Sequence, residues 1–408
     1  MKKKIQDTRH KILDQSKLLL RAVLSFVLCL LSCVSANAVQ LSDSTRISLL
    51  TVSPGDELYS AFGHTGIRVT DFKNDFDVVF NYGTFDFDQP GFYTNFIKGK
   101  MRYMISTDRF EDFMREYVED KRSVAEQELN LTADDQQKIF AFLYNNALPE
   151  NREYYYDFFW DNCSTRPRDV FEKTLGNRLQ YHTDSAGFEK SKTMHDMLRV
   201  YVGDRPWVDY GFDLILGLPC EVIATPRDQT FLPDYLAKYL DCATVDGKPF
   251  VIKEEFLLHF PLAKIATGFL PIHLSLLLVF IAFIIWVIER KTKTHYYAFD
   301  FILFLVAGLL GTLFLSLWLF SSHYSVPKNL NMLWLIPTHT IIAFVLLKKQ
   351  KPNWLKFYFI ATYILMILLF IGWQWLPQHF NVAVMPFIFL LAFRSALITV
   401  NMHYNNRH

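Results

Sequence analysis

The sequence predicts two unlike parts in one chain, an exported α+β domain followed by an all-α transmembrane bundle of about five helices. Three observations carry this expectation. A basic N-terminal stretch runs into a short apolar one, the residues from Val39 to about His259 have the mixed composition of a globular domain, and beyond Thr267 long apolar runs dominate. The averages conceal the division: 408 residues, a formal net charge of +1 and a hydrophobic fraction of 51%. A chain so close to neutral is not built to bind nucleic acid, which calls for a strongly basic surface.

The first element is a secretory signal peptide over residues 1–38. Lys2, Lys3, Lys4, Lys17 and Arg21 precede the apolar run Ala22 to Leu31, and Ala36-Asn37-Ala38 supplies an A-x-A cleavage site. Leu30-Leu31-Ser32-Cys33 also reads as a lipobox that would lipidate Cys33, and an uncleaved anchor is a third reading. All three leave the following domain, residues 39–260, on the exported side.

That domain begins with a strand at Thr45 to Leu50 and a turn at Ser53-Pro54-Gly55-Asp56. A β-branched strand, His64 to Thr70, turns at Asp71 to Asp75 and returns as Asp77 to Tyr82. With the hairpin centred near Lys73 and Asn74, His64, Gly66 and Arg68 share a face with Asp77, Val79 and Asn81. A one-residue slip would bring Tyr82 there instead. Helical patterns follow at 109–118, at 132–146 behind a Thr132 cap, at 164–175, at 193–202 and from Phe231 onward. The aromatic run Tyr154 to Trp160 between them reads as core or as a membrane-interface belt.

Residues 261–408 form the bundle, with apolar runs at 266–288, 298–320, 332–347, 354–373 and 382–401, the third of them short. Arg290, Lys291, Lys293, Lys348, Lys349, Lys351, Lys356 and Arg407 fall on one side of these spans and only Lys264 and Lys328 on the other. The positive-inside bias therefore places the connectors in the cytoplasm and the globular domain outside. The loop from Ser321 to Asn331 faces the globular domain, so His323, Asn329 and Asn331 can approach it. His339 and Arg394 lie within spans, where a polar residue is a functional candidate by default. His339 also reads as simply packed, and Arg394 as snorkelling to the cytoplasmic face.

The residue with chemistry to explain is Cys163. Pro167 is tolerated only in the first turn of a helix, so a helix through Asp169 and Val170 starts near Ser164 or Thr165, either of which can cap it. Cys163 then sits at the positive end of a helix dipole beside Arg166 and Arg168, a setting expected to lower its pKa. Of the other cysteines, Cys29 and Cys33 belong to the signal segment, and Cys220 and Cys242 can pair with each other or be buried singly. A thiol nucleophile needs a base, and His64, between Gly63 and Gly66 at the start of a strand, is the best placed histidine. Asn81 is the orienting residue that the hairpin register suggests. The Cys163 and Ser164 N–H groups, with Asn162, are the expected oxyanion donors. No cluster of histidine and cysteine has metal-ligand spacing, so neither a metal nor a cofactor is expected.

A histidine strand preceding a cysteine helix reverses the papain order, and it resembles the circularly permuted NlpC-type branch of papain-like thiol domains that includes lecithin:retinol acyltransferase. More specifically, Pro54-Gly55-Asp56-Glu57-Leu58-Tyr59, Phe62 to Arg68, Asn81 to Phe85, Asp161 to Arg166, Phe231-Leu232-Pro233 and the His323 to Trp334 loop together resemble the Lnb family of bacterial lipoprotein N-acyltransferases. The resemblance implies acyl transfer from a phospholipid to the α-amine of a diacylglyceryl-cysteine lipoprotein, with the enzyme in the inner membrane and its thiol domain in the periplasm. It carries over to Cys163 as nucleophile and His64 as base, and implies that the His323 loop contributes at the membrane surface. Tyr59, Asn162, Arg166, His323 and Asn331, which lie in or beside its motifs, become substrate-binding candidates. A membrane-anchored peptidase or amidase acting on peptidoglycan, a phospholipase and a non-catalytic membrane receptor or transporter are the competing readings. Anchoring in a bundle of spans suits lipid substrates better than soluble ones.

Overall fold

In the computed structural model the described residues are 40–405, apart from 87, 89, 186 and 262–267. The expected signal peptide lies outside them. The exported domain is built on an antiparallel sheet: β1 (Thr45–Val52), β2 (His64–Asp71), β3 (Phe76–Thr84), β4 (Arg102–Arg109), β5 (Val124–Leu129), β6 (Glu153–Tyr155) and an edge strand, Val251–Leu258, in the spatial order edge strand, β5, β1, β2, β3, β4, β6. A small second sheet joins Leu179–Tyr181, Ala243–Val245 and Lys248–Pro249.

Gly66 pairs with Asn81, Arg68 with Val79 and Thr70 with Asp77, which is the register that a turn at Phe72 to Asn74 dictates. Ile47, Leu49, Ile67, Val69, Phe80 and Ile105 project from one face of the sheet into the main core. That core is closed by α3 (Ala133–Ala147), α4 (Thr165–Leu175) and α8 (Pro233–Asp241). The other face buries Leu50, Val52 and Val79 against Phe113 and Tyr117 of α2 (Phe110–Glu119). Between β3 and β4 lies the short helix α1 (Phe92–Ile97). Thr132 caps α3 through a reciprocal capping box with Asp135, and Thr193 does the same with Asp196 for α5 (Met194–Val202). Helices α6 (Pro206–Ile215) and α7 (Pro226–Gln229) complete the domain.

Among the described residues four helices are long and apolar enough to cross a membrane: α9 (Pro271–Thr292), α10 (Tyr297–Phe320), α12 (Trp354–Gly372) and α13 (Met385–Asn405). The expected third span is not a continuous helix. It consists of a 3₁₀ turn, Leu330–Leu333, an irregular stretch containing Pro337, and the short helix α11 (His339–Leu346). Proline cannot sit inside a helix without losing a backbone hydrogen bond, so α11 begins only after Pro337. The segment still traverses the bundle. At one end Asn331 bonds the exported domain, and past the other end Lys351 Nζ lies 3.7 Å from the centre of the Tyr297 ring at the start of α10. Its irregular backbone is shielded by close packing against Gly308 and Gly311 of α10, where an added Cβ would collide with the backbone of Thr340 and Leu335.

The two polar residues flagged within spans are both paired. His339 is buried, with Nδ1 2.6 Å from the Tyr358 hydroxyl. Arg394 does not snorkel; it is fully buried and donates to both Asp300 and Glu289 at 2.6–3.0 Å. Cys220 and Cys242 form no disulfide, contrary to the pairing considered from the sequence. Cys220 is buried in an apolar cluster with its thiol against the Ser325 carbonyl, whereas Cys242 closes α8 with its thiol on the Tyr239 carbonyl.

Candidate active site

His64 opens β2 because Gly63, at a φ of +80°, turns the chain where any Cβ would strike the Val52 carbonyl. Continuing the register two pairs beyond Gly66 and Asn81 sets His64 opposite Gly83. Gly83, at a φ of +92°, in turn faces Cys163: a Cβ placed on it would lie 3.2 Å from the cysteine Cβ. Thr65 and Ser164, the neighbours of His64 and Cys163, share a hydroxyl hydrogen bond of 3.0 Å. The Cys163 sulfur also accepts from the Thr65 backbone N–H and the Ser164 hydroxyl. The Thr65–Ser164 bond and the close approach of Gly83 to Cys163 thus bring the start of β2, the end of β3 and the cysteine turn together.

Behind the imidazole runs a second chain of bonds. His64 Nε2 is 3.3 Å from Asn81 Oδ1, and Asn81 Nδ2 donates to Asp108 Oδ2 at 2.7 Å. A carboxylate can only accept, so Asp108 fixes which end of the Asn81 amide faces His64. The end presented is the oxygen, so His64 must carry its proton on Nε2, and the Nδ1 lone pair is left for the thiol. Asp108 was not legible from the sequence. It lies on β4, whose residues Arg102 to Arg109 alternate too weakly to announce a strand and run directly into the α2 pattern.

The electrostatics differ from the expectation. Burial pushes the Cys163 thiol above its ordinary value, with the bonds from Ser164 and Thr65 only partly opposing. The expected depression fails because the nearby charges are spent elsewhere. Arg166 forms a bidentate pair with Asp161 at 2.5 and 2.9 Å and lies 3.4 Å over the Tyr154 ring, while Arg168 pairs with Asp169 at 2.7 Å. The helix start is spent as well, since Asn162 Oδ1 accepts from the Ser164 and Thr165 N–H groups at 2.8 Å each. His64 is lowered to about 4, chiefly by burial and then by the charge of Arg122, against the opposing effects of Asn81 and Asp108. Thiol and imidazole are therefore both neutral near pH 7. Such a pair can attack a carbonyl by passing the thiol proton to Nδ1 as the bond forms.

Arg122 is a second residue missed in the sequence, where Lys121-Arg122 looks like an ordinary solvated pair. It is buried, donates from Nε to the Ser53 carbonyl at 2.9 Å, lies 4.9 Å from the Tyr117 ring centre, and has an Nη2 that makes no hydrogen bond. The other candidates divide into groups. Asn162 also donates to the Phe158 and Phe231 carbonyls, so its whole amide is used in shaping the Cys163 turn, and of the expected oxyanion donors only the Cys163 N–H is not used by that cap. Tyr59 is exposed and packs edge-on against Phe85, two residues from Gly83. His323 approaches the domain but bonds the Phe96 carbonyl at 2.7 Å rather than the thiol or imidazole. Asn331 lies apart, buried, with its amide committed to the Asp213 and Leu214 carbonyls and to Trp334.

Comparison with known proteins finds two matched regions in the chain. Residues 36–200 match the Lnb N-terminal periplasmic domain, and residues 263–406 match the Lnb transmembrane domain. No curated protein and no solved structure matches the chain. The thiol at the helix mouth and the imidazole on the hairpin both fall in the first of two regions matched to one family: the chain belongs to the Lnb family, as a membrane protein with a periplasmic domain.

Proposed function

We propose that this protein is a lipoprotein N-acyltransferase of the bacterial inner membrane. In this reading residues 1–38 are a signal segment, 39–260 the periplasmic catalytic domain and 261–408 the membrane domain. The observation that carries it is the close approach of Cys163 to Gly83, opposite a His64 hydrogen-bonded through Asn81 to Asp108, in a domain whose Lys98 carbonyl accepts from Ser322 just past α10. A thiol at a membrane surface suits an acyl donor and an acceptor that are both lipids.

The reaction proceeds in two halves. Cys163 Sγ attacks an ester carbonyl of a phospholipid while its proton passes to His64 Nδ1. The Cys163 N–H stabilises the developing oxyanion, and the lysophospholipid alkoxide leaves with the proton from His64. The free α-amine of a diacylglyceryl-cysteine lipoprotein then attacks the thioester, its proton moves through His64 to the departing thiolate, and an amide is left on the lipoprotein. Asn81 and Asp108 hold the imidazole proton on Nε2 and so keep Nδ1 unprotonated. No cofactor or metal enters the scheme.

The test is the intact mass of a diacylglyceryl-cysteine lipopeptide incubated with phospholipid vesicles and either the wild-type chain or Cys163→Ala. The expected result is the gain of one acyl chain with wild type alone. Acylation by both would remove Cys163 from the mechanism. Release of free fatty acid or cleavage of peptidoglycan without acylation would reassign the protein as a hydrolase.

A further inference from the structure

Helix α1 carries an apolar surface that the domain does not cover. None of its residues is buried, and Tyr93, Phe96 and Ile97 are 76%, 53% and 52% exposed. In water such a surface is costly, but α1 is clamped to the point where a membrane helix ends. Helix α10 stops at Phe320, itself highly exposed, and two residues later the Ser322 N–H donates to the Lys98 carbonyl at 2.8 Å. His323 bonds the Phe96 carbonyl, and its backbone crowds Gly99, at a φ of +65°, where a Cβ would lie 2.8 Å from His323 N. If α10 fills the apolar slab, α1 stands at its boundary, with Lys98 and Lys100 beside it at headgroup height.

Aromatic contacts lead inward from this helix. Phe92 touches Phe85, and Phe85 lies between Tyr59 and Tyr103, two residues beyond the Gly83 that faces Cys163. Trp160, three residues before Cys163, meets Tyr324 of the loop after α10 edge-on at 6.0 Å. Two aromatic walls therefore link membrane-level residues to the segments that carry Gly83 and Cys163.

We propose that α1 is a membrane-inserted lip, dipping into the periplasmic leaflet so that the acyl chains of a bilayer phospholipid pass between these walls to Cys163. This inference rests on the reading of the donor as a membrane phospholipid. Its occupant is the lipid surface, argued from the continuity of α1 with the end of a membrane span and from the flanking lysines.

The experiment places the photoreactive residue p-benzoylphenylalanine at position 93 or 96 of the full chain, in nanodiscs of a single defined phospholipid, and reads intact mass after irradiation. Adducts of one phospholipid mass are expected at both positions and absent at Phe72, an exposed aromatic at the opposite end of the β2–β3 hairpin. No lipid adduct at either position, or adducts only to lipoprotein, would overturn the proposal. This readout needs no turnover, so it stands even if the chain proves not to be a transferase. In parallel, Y93S/F96S is expected to slow Cys163 thioester formation from vesicle phospholipid at least tenfold with Tm and Cys163 alkylation unchanged. Thioester formation at the wild-type rate in that variant would refute the lip.

Discussion

Replacing Asn81 with alanine removes the acceptor of the His64 Nε2 proton, a bond of 3.3 Å in the resting protein where the imidazole is neutral. When the thiol proton reaches Nδ1 the ring becomes an imidazolium, and the same bond becomes charge-assisted. Neutral hydrogen bonds contribute about 0.5–1.5 kcal/mol and those to charged groups about 1.5–3 kcal/mol. Only the strengthening, about 1–1.5 kcal/mol, appears in the rate, because the resting contribution is common to ground and transition states. Asn81→Ala should therefore slow Cys163 thioester formation about 5- to 13-fold, at a tenfold change per 1.36 kcal/mol. The assay is single-turnover acylation followed by intact mass, with Tm measured alongside. Asp108→Asn should be milder. Its amide no longer dictates the orientation of Asn81, and an evenly populated flip costs about twofold. A rate within twofold of wild type for Asn81→Ala would refute the relay. So would a loss as deep as that of His64→Ala, which would make Asn81 a participant in the chemistry.

Three further outcomes follow from the same geometry. Iodoacetamide labelling of the Cys163 peptide should keep rising with pH beyond the ordinary thiol value of 9.0, with no plateau near neutrality, because burial raises this thiol; a plateau between pH 6 and 8 would mean a thiolate–imidazolium pair. Gly83→Ala should leave the domain folded, at a cost of about 1 kcal/mol for its positive φ, yet lower acylation more than tenfold by pushing Cys163 from His64. The check is Tm against single-turnover rate. Burial alone would lower His195, but Asp213 and Glu221, 2.9 and 3.0 Å from its two ring nitrogens, outweigh it and raise the group to about 9. Its stabilisation is fully present below the ordinary histidine value of 6.5 and is lost as pH rises through about 9. The Tm of the wild-type chain should accordingly fall across that interval by a component that His195→Gln lacks.

Much of the site could be read before any coordinates. The β2–β3 hairpin is specified by alternation and a polar turn, so the face shared by His64 and Asn81 followed from counting residues. Pro167 placed the start of α4, and with it Cys163 at a helix mouth. What escaped depends on contacts between distant segments. Asp108 is recognisable only once β4 is known to pair with β3, and β4 lacks the periodicity that would have revealed it. The thiol pKa was misjudged because sequence shows Arg166 and Arg168 beside Cys163 but neither the burial of the thiol nor the pairing of those arginines with Asp161 and Asp169. The fourth and fifth apolar runs became helices as expected. Pro337 broke the third, an outcome visible in sequence only to a reader who weighs one proline against the surrounding hydropathy.

The joint between the two halves has a further consequence. Helix α6 ends with carbonyls that its own backbone cannot satisfy. Those of Asp213, Leu214 and Leu216 are met by Asn329, Asn331 and Gln378, all contributed by loops of the bundle. Tyr210, Leu214 and Ile215 of the same region pack into the core of the bundle. The periplasmic half is thus not a detachable cargo: severed from its spans it would lose both a hydrogen-bonded cap and an apolar seat. Chimaeras that graft it onto a foreign anchor should accumulate as misfolded protein, so the two halves must be inherited together.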